Sequence, residues 1–198
     1  MGANLQALLE EIRDLEMSVV EQIKQKEEDL LYSIKNRTVV FRKEIIEKHK
    51  ALRKSVYRFL VESSSMSYVV APVIYSMIIP ALIMDIFVSV YQRICFPVYG
   101  IPKVKRNDYI VLDRNRLKYL NWIERINCDY CGYFNGLISY VREVASRTEQ
   151  YFCPIRHALK VKGLHIRHAR FLRYGEVDNY RERLAQLRKE VRETALEV

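Results

Sequence analysis

The chain has 198 residues, with 33 Lys and Arg against 24 Asp and Glu and a net charge of +9. That length suits one or two small domains rather than one large core. No G-x-S-x-G, P-loop, H-E-x-x-H or dinucleotide fingerprint occurs, so no familiar hydrolase, nucleotide or nicotinamide site is announced.

The first residues lack the basic n-region of a signal peptide, and Gln6 stands where a myristoylation signal needs Ser or Thr. From Leu5 to about Leu60 there is no proline, and apolar residues recur at Leu5, Leu8, Ile12, Leu15 and Val19. Steps of three and four make an a/d seam, which loosens where Gln22 and Lys26 take seam positions. A shifted stripe through Ile23, Leu30 and Ile34 follows, and Ile45, Leu52, Val56 and Phe59 continue a helical face. Residues 1–66 are therefore expected to form an amphipathic or coiled-coil arm, with residues 5–60 as the surface for protein partners or self-association. Twelve basic and eleven acidic residues up to Ser67 leave this arm nearly neutral, so it is not a nucleic-acid-binding part.

Residues 67–93 are expected to form a membrane-embedded segment. Between Tyr68 and Tyr91 the only charge is Asp85. Twenty-four residues of helix cover roughly 36 Å, enough to cross a hydrocarbon core with tilt. Pro72 and Pro80 leave open a re-entrant hairpin as well as a single span. A soluble central helix would need a polar stripe, for which only Ser76, Asp85 and Ser89 are on offer. Lys48, Lys50, Arg53, Lys54 and Arg58 upstream balance Arg93, Lys103, Lys105 and Arg106 downstream, so orientation is not set by positive charge. A carboxylate at membrane depth is costly unless wet or paired. Asp85 shares a helical face with Ser89 and Gln92, which suits headgroup water or a partner helix better than catalysis.

Residues 94–175 are expected to be a small basic helical domain holding all four cysteines: Cys95, Cys128, Cys131 and Cys153. Cys128 and Cys131 form a C-x2-C knuckle with Gly132 as its turn, and Cys153 and His157 a C-x3-H pair beside Pro154. Three thiolates and one imidazole suit tetrahedral zinc, or alternatively an iron–sulfur cluster. An intervening helix from Gly136 opposes a single site, because Cys131 and Cys153 would then lie at opposite ends. Cys95 with the knuckle, or His157 with His165 and His168, are other combinations. Tyr109–Leu112 is the one candidate strand, with Asp113 capping the next helix.

Between Glu149 and Glu176 there is no acid, while Arg156, Lys160, Lys162, Arg167, Arg170 and Arg173 stand there. Such a cluster binds phosphate, and beside an apolar anchor anionic headgroups are a more economical partner than nucleic acid. Residues 176–198 read as a charged surface helix with Leu184, Leu187, Val191 and Leu196 on one side.

The blocks Ile94–Pro102, Leu120–Glu124, Asn127–Tyr133 and Arg147–Ala158 resemble an uncharacterised bacterial membrane-associated family over roughly residues 90–160. The resemblance implies a bacterial source, and no activity. The expectation is an all-α protein of the bacterial inner membrane, its charged portions cytoplasmic. Its expected role is that of an anchored scaffold or accessory protein rather than an enzyme. An oxidoreductase or electron-transfer component using the thiols is the alternative.

Overall fold

The computed structural model describes residues 2–35 and 38–193. In chain order the elements are α1 Gly2–Leu30, β1 Tyr32–Lys35, β2 Thr38–Phe41, α2 Lys43–Leu52, α3 Val56–Glu62, α4 Ser65–Ser76, α5 Ile78–Tyr99, α6 Trp122–Phe152 and α7 Tyr180–Glu193. The protein is mostly helical, as expected, but not purely so. β1 and β2 pair antiparallel, with Tyr32 opposite Phe41 and Ile34 opposite Val39. Thr38, Val39, Val40 and Phe41 are all β-branched or aromatic, which outweighs the helical spacing of Ile34. Residues 109–112 form no strand, and the helix expected after Asp113 begins only at Trp122.

That later start has a local cause. The Asn121 side chain accepts from the backbone N–H groups of Ile123 and Glu124 at 3.0 and 3.1 Å. The Glu124 carboxylate accepts in turn from the Asn121 N–H at 2.8 Å, which completes a capping box.

The apolar run holds no hairpin; Ser65–Tyr99 is a single helical stretch apart from an interruption at Met77. Pro80 lacks the N–H that would bond the Ser76 carbonyl, which accounts for the interruption. Met77 keeps right-handed helical angles, φ −63° and ψ −14°, so the chain does not reverse there. The reversal comes at Gly100, whose φ of 68° suits glycine. The Ile101 N–H bonds the Phe96 carbonyl at 2.8 Å and the Gly100 N–H bonds that of Pro97, a Schellman ending.

Two compact units divide the chain differently from the sequence-based boundaries. One is Met1–Tyr75 with Leu112–Gly132, the other Ser76–Val111 with Tyr133–Val198. In the first unit none of α2, α3 and α4 buries a residue. The His49 ring stands between Phe41 and Tyr119, at 5.0 and 4.9 Å. Along α1, Leu8, Ile12, Leu15 and Val19 are all exposed. The side chains of Leu5 and Leu30, and all of Leu196, lie outside the described residues.

The second unit has a true core, in which Ala81, Phe96, Ile101, Val104, Leu137, Tyr140, Val144 and Val191 are buried together. α7 closes this core rather than lying free on the surface: Leu187 and Val191 are fully buried. Its Arg188 and Arg192 sit over the Tyr151 ring, and the Gln150 amide donates to the Leu187 carbonyl.

Candidate functional site

The second unit is built around α5, which buries two polar residues in its inward face and exposes large apolar ones on the other. Ala81, Asp85, Gln92 and Phe96 face inward and are buried, with Met84, Val88 and Tyr91 partly so. Outward stand Ile79, Leu82, Ile83, Ile86, Phe87, Val90, Ile94 and Val98, each between 48% and 74% exposed. Asp85 and Gln92 are thus inside with Phe96, while the outward face is large and apolar up to Arg93. Over the whole apolar stretch, only 6% of the most apolar window is buried.

Asp85 is 7% exposed, and so is not wet. Arg106 donates to both its oxygens, Nε at 3.0 and 3.2 Å and Nη2 to Oδ2 at 2.5 Å. The Tyr133 hydroxyl donates to Oδ2 at 2.9 Å, and Ser89 Oγ lies 3.4 Å from Oδ1. The carboxylate is held by a fork and two hydroxyls, an arrangement that anchors rather than transfers protons. It raises the Arg106 pKa through the bond to Asp85. Burial first, then the bond to Asp85, raises that of Tyr133.

Two turns further on, Gln92 makes a two-pronged bond to a backbone. Its Oε1 accepts from the Val104 N–H at 2.9 Å, and its Nε2 donates to the Val104 carbonyl at 3.2 Å. Nε2 also meets the Tyr140 hydroxyl, which lies 3.3 Å from Ser89 Oγ. The segment after Gly100 therefore runs back along α5, Val104 beside Gln92 and Arg106 beside Asp85. α6 runs in the same direction as α5, because Asp85 meets Tyr133, Gln92 meets Tyr140 and Tyr91 meets Thr148. Gly136 lets the return segment close on α6: an added Cβ would stand 2.5 Å from the Tyr109 carbonyl oxygen.

Beyond α6 the chain loops out and returns, closed by a bridge between Ile155 and Leu172. Arg156 donates to the Ala169 carbonyl, and Arg167 donates to Gln150 and Glu143 at 3.0 and 2.9 Å. Of the basic cluster, Arg156 and Arg167 thus brace the loop internally, whereas Lys160, Lys162 and Arg173 are exposed and Arg170 is exposed but engaged. Burial would raise the Glu143 pKa, but bonds from Arg147 and Arg167 outweigh it and hold the carboxyl below its ordinary range. His168 is buried, with its ring against those of His157 and His165 at 5.8 and 6.1 Å. Burial, then the neighbouring His165, lowers its pKa. His165 Nε2 lies 2.8 Å from Glu149.

The four-ligand metal site expected from sequence does not form within one chain. α6 is unbroken from Trp122 to Phe152, with Cys128 and Cys131 on it and Cys153 just past its end. Twenty-two positions of helix between Cys131 and Cys153 amount to about 33 Å, against a Zn–S bond of about 2.3 Å. Gly132 makes no turn there, being inside the helix, and His157 stacks on His168. Among the described residues no group of three or more His, Cys, Asp or Glu is arranged to hold a metal ion. Within one chain the placement of these residues does not bring the four expected ligands together.

Sequence reasoning placed Asp85 in the right helix but not its partner, since Arg106 lies 21 residues on across a chain reversal. Comparison with known proteins gives no match to a family model, a curated protein or a solved structure.

Proposed function

We propose that this chain is a membrane-anchored scaffold or accessory protein, held in a bilayer by residues 65–99. The observation that carries the reading is the outward face of α5: Ile86, Phe87, Ile94 and Val98 are exposed while Asp85 and Gln92 are buried. In water each exposed side chain of this size forgoes about 1.5–3 kcal/mol of burial. In lipid the same face costs nothing, and the polar residues belong inside, paired, as they are. The stretch Ser65–Tyr99 is about 52 Å long as helix, more than a hydrocarbon core of about 30 Å requires. The bacterial inner membrane is the location that the motif blocks favour, and a single crossing would leave residues 1–64 and 100–198 on opposite sides of it. The exposed Lys160, Lys162 and Arg173 supply charge suited to anionic headgroups. The exposed seam of α1 supplies a surface for a partner helix or a second copy.

Washing of membranes with alkaline carbonate tests the anchor. The protein is expected to stay with the membrane, and a double substitution Ile83→Lys, Phe87→Lys is expected to release it. Each lysine costs about 2.5–3.5 kcal/mol at membrane centre. Recovery of the unaltered chain in the soluble fraction would overturn the reading.

A further inference from the structure

The first unit contains a cavity of about 460 Å³, open to the surface on one side, between α3, α4 and the first turns of α6. Its floor and walls are mainly apolar, with Leu60 from α3, Ala71 and Ile74 from α4 and Ile123 from α6. The residues α4 contributes (Ser67, Tyr68, Ala71, Ile74, Tyr75) follow one helical face, while Val69 and Val73 on its other side are about 70% exposed. The cavity is therefore set into the same helix whose outer face meets lipid in the reading above.

Its polar side chains are turned to other uses. The Tyr68 hydroxyl donates to the Leu60 carbonyl, and that of Tyr130 to the Ile74 carbonyl at 2.7 Å. Tyr75 donates to the Asn127 side chain, and Ser63 to the Phe59 carbonyl at 2.7 Å. Each of these bonds stays within the protein, so they shape the cavity rather than reach into it. A peptide or nucleotide, with polar groups of its own to satisfy, would find its main partners occupied. A hydrocarbon chain needs none, and the volume falls in the range of ligand-binding pockets.

We propose that this cavity holds an acyl chain of a membrane phospholipid, which enters sideways past α4; the proposal rests on the membrane reading. A chain drawn from the bilayer is already out of water, so it enters an apolar cavity with no polar group to desolvate and fills space that would otherwise lack packing contacts. Tyr75 and Tyr130, whose rings meet edge to face at 5.6 Å, stiffen the wall against which the chain lies.

The test is a photolabelling map. The full chain is reconstituted into phosphatidylcholine–phosphatidylglycerol vesicles doped with a phospholipid bearing a diazirine midway along one acyl chain. The vesicles are floated and irradiated, and the adducts are located by mass spectrometry. Adducts are expected on Leu60, Ala71, Ile74 and Ile123. Labelling there is expected to fall about tenfold when Ala71→Phe overfills the space. Cys131→Phe fills it from the opposite wall and should do the same, which covers the case in which Ala71→Phe disturbs α4. Val73→Phe, on the outer face, should leave the map unchanged, and all variants should still float. Adducts confined to Val69, Val73, Ile86 and Phe87 would mean surface lipid only and would overturn the proposal. So would cavity adducts indifferent to both filling substitutions. Failure of the unaltered chain to float would overturn the membrane reading instead. A diazirine fatty acid in vesicle-free solution would then decide the cavity: labelling abolished by Ala71→Phe sustains an acyl site, and no labelling ends it.

Discussion

Arg106 reaches an aspartate 21 residues earlier in the chain, and the pair carries a sharp expectation. The Asp85 side chain is 10% exposed and that of Arg106 39%, so the fork is only half screened by solvent. Replacing Arg106 by Ala leaves a buried carboxylate with hydroxyl partners alone. The expected cost is about 2–3 kcal/mol, less than for a wholly buried pair, or roughly 5–10 °C in the melting temperature of the detergent-solubilised protein. Replacing Asp85 as well should recover part of that loss, because the uncompensated charge is gone. A double-mutant cycle reads this directly, and additive losses would show that the pair does not couple. Gly136→Ala should be as harmful for a different reason. Its methyl would meet backbone, the Tyr109 carbonyl oxygen and the Ile110 Cα at 3.0 Å, which cannot swing aside. A loss of about 1–3 kcal/mol is expected.

His168 gives a pH dependence whose sign is fixed. Its folded pKa is lowered, by burial and then by His165, so the folded state favours the neutral ring. The stabilisation is present above the unfolded value of about 6.5 and is lost as pH falls through the folded one. His157, His165, Arg156 and Glu149 act on the same ring, Glu149 in the opposite sense. Amide exchange in residues 154–172, corrected for intrinsic rate, should therefore speed up below about pH 6.5. His168→Gln should remove the step; an unchanged step would assign it elsewhere.

Elements differ in how plainly the sequence announces them. The apolar stretch is legible because its signal is sheer length, and no tertiary contact alters it. The start of α6 is not legible: the sequence points to Asp113 as the cap, and no spacing rule sets it below Asn121, which the structure uses. Structure decides by making the reciprocal bonds at Asn121, and Asn121→Ala should cost about 1 kcal/mol by thermal melt. The cysteine motif misled because C-x2-C is also an i,i+3 pair on a helix. A glycine after it reads as a turn only when the flanking residues lack helical spacing, and here they have it. The β-hairpin was hidden by its length, four residues a strand within a long proline-free stretch. Asp85 was legible as a costly residue but not as a bonded one, because its main partner depends on the reversal at Gly100.

At the scale of the molecule, neither compact unit is one continuous piece of sequence. The chain leaves the first unit at Tyr75, builds part of the second, returns for Leu112–Gly132 and leaves again within α6. A fragment 76–198 keeps every segment of the second unit and should retain its helicity and a cooperative melt. A fragment 94–198, cut at the boundary the sequence suggests, loses Ala81, Asp85 and Gln92 from the core and should not fold. Circular dichroism of the two fragments in detergent separates these outcomes, and equal folding of both would show that α5 is dispensable.

The parallel alignment of α5 and α6 also has a consequence in time. The last residue of α6, Phe152, is synthesised 53 residues after the last of α5, Tyr99. At about 5–20 residues per second the interval is on the order of 3–10 s. Throughout it, Asp85 and Gln92 stand on a finished helix with Tyr133 and Tyr140 not yet made or placed. The return segment from Ile101 to Arg106 is available much sooner, and its Val104 backbone and Arg106 guanidinium fit those two side chains. The segment thus acts as a provisional partner that travels with α5, shielding its polar face until the second helix arrives.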